Sequence, residues 1–296
     1  MPIAAGRRGQ ANRDAASRSS GKFVAVKEDF RFLELNGERI FAAHHAPAQT
    51  PSRGIVLCHP LAEEKLWAHR VFVSLARELA RAGIAVMRFD YRGEGDSEGE
   101  FRHSSLESRI EDTGVAIETL RSLHPTISAI SLAGLRFGAS VAAVAASRRS
   151  DVTRLLLWDP VTDGLAYMQS VLRLNLVFQM ALHRKVIESR EVLVERLENG
   201  ECVNIEGYEL SKALFQQMSA FRLQDVLARV DGDIVLVQVN QDDSPMRPDL
   251  QALADGQARC RVVVVQEQPF WKEIRAFYQQ APQLTRVTLE ALGVAQ

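Results

Sequence analysis

One stretch constrains this chain more than any other: Ser131-Leu132-Ala133-Gly134-Leu135-Arg136-Phe137-Gly138-Ala139-Ser140. Residues 127–132 form an apolar, β-prone run, and residues 139–147 are Ala-rich and read as a helix. A strand must therefore turn into a helix within a few residues. Gly134 and Gly138 lie two positions either side of Arg136. So sharp a turn strains the backbone of its central residue and crowds the residues two before and two after it. Only small side chains fit there. The apex is left to Arg136, whose guanidinium stays protonated and cannot attack a carbonyl.

The rest of the chain alternates short apolar runs with helical ones. Residues 30–35 and 39–43 are extended around Asn36-Gly37, a strong hairpin signal. A strand at 54–58 leads through the loop 59–64 to a helix over 66–81 that stops at Gly83. A strand at 84–89, a glycine-rich loop at 90–99 and a helix over 104–123 precede the sharp turn. After it come strands at 154–158, 234–239 and 261–265, a helix around 251–254 and a last helix over 271–292. Such alternation predicts an α/β fold: a mostly parallel central sheet with helices on both faces, the hairpin adding an antiparallel edge. Residues 161–229 break the alternation. They are mostly helical in pattern, with an irregular patch at 199–207, and are expected to form a helical cap over the C-terminal strand ends, where open α/β sheets bind ligands. The predicted organisation is a basic tail (1–22), a core domain (23–160 and 230–296) and a cap insertion (161–229).

Charge and cysteine content narrow the function. The net charge of −1 provides no basic field to draw nucleic acid. Residues 1–22 differ, setting Arg7, Arg8, Arg13, Arg18 and Lys22 against Asp14 alone. Lacking an apolar segment, they read as a disordered tail and not a secretory signal. A membrane-surface or partner contact is the alternative. Cys58, Cys202 and Cys260 have neither metal nor CxxC spacing, which points to a reducing, cytoplasmic setting. The most apolar long run, 165–182, contains Gln169, Arg173, Asn175 and Gln179 and is not expected to span a bilayer. Gly93, Gly95 and Gly99 are spaced G-x-G-x-x-x-G with no helix opening from them, so they read as turn residues. No cofactor or metal is expected.

A strand, a tight small-residue turn and a helix also make the setting of the G-x-S-x-G nucleophile elbow of α/β-hydrolases. Here Arg136 stands in place of the serine. In that fold an acid and then a histidine follow in chain order. Asp242 or Asp243 takes the acid's place, with Asp159 as second choice. The histidine's place reads Gln266-Glu267-Gln268-Pro269-Phe270-Trp271, and His183 is the last histidine of the chain. Pro269 thus occupies the base's position, and no general base is poised near neutral pH unless a carboxylate is retuned. Cys58 and His59 are strand neighbours facing opposite sides, a poor dyad. Cys58 reads as core and Ser140 as a packing residue. Glu63 and Glu64, placed in a loop, are either acid and base or simply solvated.

What the pattern keeps is an anion site. The N–H of Phe137 opens a helix, the loop after His59 would bring a second N–H near Leu61, and Arg136 adds a positive charge. His59, Leu61, Arg136 and Phe137 are therefore the candidate ligand-binding set, for a carboxylate, phosphate or sulfate. The alternative is that Arg136 pairs internally with Asp242 or a glutamate of the insertion.

His59-Pro60-Leu61-Ala62-Glu63-Glu64-Lys65 and the loop at 90–99 resemble the α/β-hydrolase superfamily. Four further pieces are Gly134-Leu135-Arg136-Phe137-Gly138, Leu156-Leu157-Trp158-Asp159-Pro160-Val161, Glu206-Gly207-Tyr208-Glu209-Leu210-Ser211 and Pro269-Phe270-Trp271. Together they are similar to the exosortase A system-associated hydrolases, type 2, a bacterial family that also reads G-L-R at the elbow. Tyr91-Arg92-Gly93-Glu94-Gly95 departs from that family's cysteine-containing loop. The resemblance implies a setting of exopolysaccharide synthesis and exosortase-linked sorting, and a structural role for His59 in an oxyanion-type loop. Three functions stay open: a binding protein for an anionic acyl or glycosyl small molecule, a hydrolase or transferase with a rebuilt site using Glu63, Asp242 or His59, and an interaction scaffold for an export or polysaccharide system.

Overall fold

Asn36 and Gly37 both adopt positive φ, 54° and 86°. That is the type I′ turn whose twist matches two antiparallel strands, and it folds β1 (Lys27–Leu35) onto β2 (Glu38–Ala46). The computed structural model describes residues 26–272 and 279–294, so the basic segment 1–22 lies outside the described residues. Along the chain follow β3 (Arg53–Cys58), α1 (Glu63–Arg81), β4 (Ala85–Phe89), α2 (Leu106–Leu123), β5 (Ala129–Leu135), α3 (Phe137–Ser147) and β6 (Val152–Trp158). Residues between β6 and the next sheet strand form α4 (Gly164–His183), α5 (Arg190–Glu198), the hairpin β7 (Val203–Ile205) and β8 (Tyr208–Leu210), α6 (Lys212–Ser219) and α7 (Leu223–Leu227). The main sheet then resumes with β9 (Asp233–Asn240), α8 (Pro248–Asp255) and β10 (Cys260–Gln266), and α9 (Pro282–Ala291) follows.

The main sheet has eight strands in the order β1-β2-β4-β3-β5-β6-β9-β10. Only the β1–β2 and β2–β4 pairings are antiparallel. Successive side chains of a strand point to opposite faces, and each face carries its own core. Val56, Leu132, Leu155 and Leu157 belong to one apolar cluster, Ile55, Leu57, Ala133 and Leu156 to the other.

Two expectations need correction. The helix after β3 begins at Glu63, not at 66. Its first turn carries Glu63 and Glu64, where carboxylates meet the positive end of the helix dipole. Neither is a loop residue. At the C-terminal end, Trp271 and Lys272 lie in a turn, and the last described helix starts with Pro282, whose fixed φ and missing N–H suit a first helical turn. The irregular patch at 199–207 contains most of the β7–β8 hairpin.

The sharp turn shows why its glycines are needed. A Cβ on Gly134 would lie 2.2 Å from the Gly138 carbonyl oxygen, and one on Gly138 would lie 2.3 Å from that of Cys58. Backbone cannot yield as a flexible side chain can. Gly134→Ala should therefore lower stability by about 3 kcal/mol, read as a drop in the urea midpoint. Gly114→Ala in α2, where a Cβ meets nothing within 4 Å, should be neutral or gain up to about 1 kcal/mol.

β2 also carries two buried histidines. Burial, then His124 beside His44 and Arg88 beside His45, push both imidazoles from 6.5 down to about 4. His44 Nε2 and His124 Nε2 are 2.9 Å apart, a bond that needs one nitrogen unprotonated. Arg88 Nε donates to His45 Nε2 at 3.0 Å, which leaves the His45 proton on Nδ1, 3.1 Å from Glu28. Since the folded pKa values lie below the unfolded ones, this contribution is whole above about pH 6.5 and is lost as pH falls toward 4. The urea midpoint should drop between pH 7 and pH 4.5, and His44→Gln should flatten that dependence.

Candidate functional site

The turn between β5 and α3 sets Arg136 at φ 54°, ψ −118°. Its N–H donates to the Trp158 carbonyl at 3.0 Å and its carbonyl accepts from Ala139 at 3.0 Å. The backbone is thereby locked, and the first two N–H groups of α3, those of Phe137 and Gly138, have no carbonyl within the helix to bond. A φ near +55° is costly for a residue with a Cβ, and it persists because the surrounding backbone determines it.

Three separate segments converge on the Arg136 side chain. Its Nε lies 3.3 Å from Glu64 Oε1, in the first turn of α1. Its Nη1 lies 3.2 Å from Asp159 Oδ2, just after β6. The guanidinium carbon sits 5.6 Å from the ring centre of Tyr167 in α4, a cation–π contact. Tyr167 in turn donates its hydroxyl to Glu64 Oε2 at 3.3 Å, and Arg247 reaches Asp159 Oδ1 at 3.5 Å. Nη2 of Arg136 makes no hydrogen bond among the described residues.

The electrostatics follow from this crowding. Burial works against the Arg136 charge, but Glu64, Asp159 and Tyr167 outweigh it and hold the guanidinium above its ordinary pKa. Burial pushes the Glu64 carboxyl above its usual value, against the pull of Arg136. Burial and then Glu64 keep the Tyr167 phenol well above its ordinary pKa and so protonated.

A second cation, this one fully buried, supports the site from behind. Arg109 is 0% exposed. Its guanidinium lies 4.7 Å from the ring of Tyr91, 5.6 Å from Phe101 and 5.3 Å from Phe137. Glu94 accepts its hydrogen bond at 2.6 Å and Ser104 another at 2.9 Å. Phe137 is thus fixed between Arg109 and Tyr167, whose ring centre is 6.2 Å away.

The residues singled out in the sequence divide into two groups. Arg136, Phe137, His59 and Leu61 lie around the turn: the His59 carbonyl oxygen is 2.4 Å from the Cβ that Gly138 lacks, and Leu61 is buried just before α1. The His59 ring stacks on Phe72 with centres 4.5 Å apart, and burial, then Lys65, keeps its pKa well below the ordinary value. Cys58 is buried, which raises its thiol to about 11. The other group stays apart from Arg136. Asp242 is exposed and accepts from the N–H and hydroxyl of Ser244, and Asp243 is exposed beside it. Pro269 is half-buried ahead of the buried Phe270 and Trp271. The carboxylates that meet Arg136 are Asp159 and Glu64, not Asp242. Tyr167 and Arg247 carried no local signal, because each reaches the turn from a distant segment.

Comparisons with known proteins agree with this architecture. A family model described as serine aminopeptidase, S33, matches residues 49–227, from just before β3 to the end of α7. An uncharacterized protein of Rickettsia prowazekii is 29% identical over 137 residues, 45% of this chain and 56% of that protein. A monoacylglycerol lipase of Mycolicibacterium smegmatis is 27% identical over 141 residues, 47% of this chain and 49% of that protein. The chain thus spans about half the length of these curated relatives. Among solved structures, the ferulic-acid-bound form of Est1E from Butyrivibrio proteoclasticus has a TM-score of 0.65 at 17% identity, covering 89% of this chain and 99% of that one. The Pyrococcus furiosus esterase Pf2001 has a TM-score of 0.57 at 13% identity, covering 82% of each chain. At such identities the likeness shows the fold, and it is the α/β-hydrolase fold.

The cluster makes a pH-dependent prediction. Arg136→Ala leaves Glu64 without its cation and Asp159 with Arg247 alone, costing about 2 kcal/mol of stability. Because the Glu64 pKa is already raised, that carboxyl can protonate at lower pH and shed part of the penalty. Thermal melts should show a larger loss at pH 8 than at pH 5, and Glu64→Gln in the Arg136→Ala background should reduce the difference.

Proposed function

The chain belongs to the serine aminopeptidase, S33, family, and from that premise we propose that it keeps the fold but uses the elbow to bind an anionic small molecule instead of to transfer an acyl group. The observation that carries this reading is Arg136 at the strained apex, with Glu64 and Asp159 on Nε and Nη1 and Nη2 unbonded among the described residues. A guanidinium offers five N–H donors. Arg136 is also the residue that precedes α3, whose first backbone N–H groups favour negative charge. A carboxylate, phosphate or sulfate on an acyl or glycosyl body has the chemistry to exchange with, or add to, the internal carboxylates. Phe137, His59 and Leu61 are buried behind the turn and would back this site instead of touching the ligand, and residues 161–229 would cap it through Tyr167.

In this reading the triad is degenerate at Arg136, Asp242 and Pro269, and the protein needs no cofactor. The similarity to the exosortase A system-associated type 2 hydrolases supports a bacterial, cytoplasmic setting linked to exopolysaccharide export. A protein partner from such a system would make the chain a scaffold as well.

A second reading rests on Glu64. A half-buried carboxyl with a raised pKa, bonded to Tyr167, has the properties of a general acid or base. It would make the chain a hydrolase or transferase with a rebuilt site. Steady turnover of p-nitrophenyl esters that disappears in Glu64→Gln would establish this reading and overturn the binder.

The binding reading is tested by thermal shift of the full chain with acetate, medium-chain fatty acids, phosphate, sulfate and sugar phosphates. At least one anion should raise the melting temperature of the wild type. Arg136→Ala should weaken that ligand by roughly ten- to a hundredfold, the loss of a charge-assisted bond worth about 1.5–3 kcal/mol. Arg136→Lys should restore only part, because a point charge replaces a fork. No shift with any anion would defeat the proposal. Arg136→Ser alone should show no esterase activity, whereas Arg136→Ser with Pro269→His is the smallest change that supplies both nucleophile and base.

A further inference from the structure

The C-terminal half of helix α4 turns polar side chains toward the protein and apolar ones toward solvent. The first half of the helix is conventional, with Tyr167, Met168, Val171 and Leu172 buried. Its second half reverses the pattern. Asn175 Nδ2 donates to the Asn204 carbonyl, and Gln179 Oε1 accepts from the N–H groups of Ile187 and Glu188 at 2.6 and 2.8 Å. The stripe Leu174, Val177, Phe178 and Leu182 has the i, i+3, i+4, i+8 spacing of one helix face. That face is open to solvent, with Val177 60%, Phe178 54% and Leu182 67% exposed. Val186 and Ile187, in the loop that Gln179 holds to the helix, extend it. Nine of the thirteen exposed large apolar side chains among the described residues fall between 165 and 192. So concentrated a patch marks an interaction surface.

Charge identifies what covers it. Between Gly164 and Ile187 the chain carries Arg173, Arg184 and Lys185 and no acidic residue. None of the three cations forms an ion pair among the described residues. A two-fold contact between copies sets a patch against itself, and these cations would then oppose their own equivalents. Apolar side chains beside unpaired cations, on a helix with polar residues turned inward, suit an interfacial helix on an anionic lipid surface. No helix among the described residues is long and apolar enough to cross a membrane, so the contact is a surface one. We infer that the C-terminal half of α4 and the loop after it dock the protein on anionic membranes, Phe178, Leu182 and Ile187 entering the acyl boundary and Arg173, Arg184 and Lys185 meeting the headgroups. This docking is independent of whether Arg136 binds an anion or Glu64 acts in catalysis.

The experiment is co-sedimentation of the full chain with vesicles of phosphatidylcholine alone or with one-third phosphatidylglycerol. Each cation near an anionic surface contributes about fivefold, so binding to the anionic vesicles should be about a hundredfold tighter and should weaken as salt is raised. Val177→Ser with Phe178→Ser should abolish it, and Arg184→Gln with Lys185→Gln should reduce it by roughly 25-fold. These exposed changes should leave the thermal melt unaltered. Failure to bind anionic vesicles overturns the proposal. So does binding that survives Val177→Ser with Phe178→Ser, which would assign it to the basic residues 1–22. A dimer in sedimentation velocity that this double substitution dissociates, with no vesicle binding, would give the face to a second copy instead.

Discussion

Everything at this site depends on how closely one helix can approach two other backbones. α3 starts against the carbonyls of Cys58 and His59, while the strand that leads into it passes within contact of Gly138. There is no room for a single methyl group at Gly134 or Gly138. That contact fixes the apex residue at φ 54° and directs its side chain to a place set by the sheet. The turn does not depend on the chemistry of the side chain it presents. A serine or an arginine is positioned equally well by the same backbone, so the chain can retain the fold with a different group at its centre.

An arginine in such a place brings its own requirements. A guanidinium taken partly out of water must be matched by acceptors, or its desolvation is left uncompensated. Glu64 comes from the first turn of α1, Asp159 from the turn after β6 and Tyr167 from α4. Arg136 therefore bridges α1, the turn after β6 and α4. A comparable device lies beneath it, where Arg109 is enclosed by three aromatic rings and Glu94. Two arginines, Arg136 on Tyr167 and Arg109 on Phe137, hold the two stacked rings in place between them.

Local rules made much of this legible. Asn36-Gly37 gave away the hairpin because both residues tolerate positive φ. The glycine spacing located the strained turn, and the alternation of apolar runs with helical periodicity indicated the parallel sheet. The partners of Arg136 were harder to read. Glu64 looked like a loop residue because apolar periodicity in α1 starts only at Leu66, yet the helix extends back to Glu63. Asp242 stood at the expected place in the strand order, but its carboxylate turns to Ser244 in its own loop. Tyr167 is unremarkable within its helix and matters only because α4 crosses over the turn. The helix expected over 271–292 is shorter at its start: Trp271 and Lys272 lie in a turn, and Pro282 begins α9.

The closeness of Glu64 and Asp159 to a single cation has a consequence for how the sequence can vary. With Arg136 present, the two carboxylates share its guanidinium; with any uncharged residue there, Glu64 would lose its cation and Asp159 would keep only Arg247. The effect of a change at position 136 thus depends on what occupies 64 and 159, and the three positions behave as one coupled unit whose effects do not add. A path from a serine at this apex to the arginine seen here is easiest when the acids and the cation change in concert. The same coupling means that the cost of a change at any one of the three positions is set by the residues at the other two.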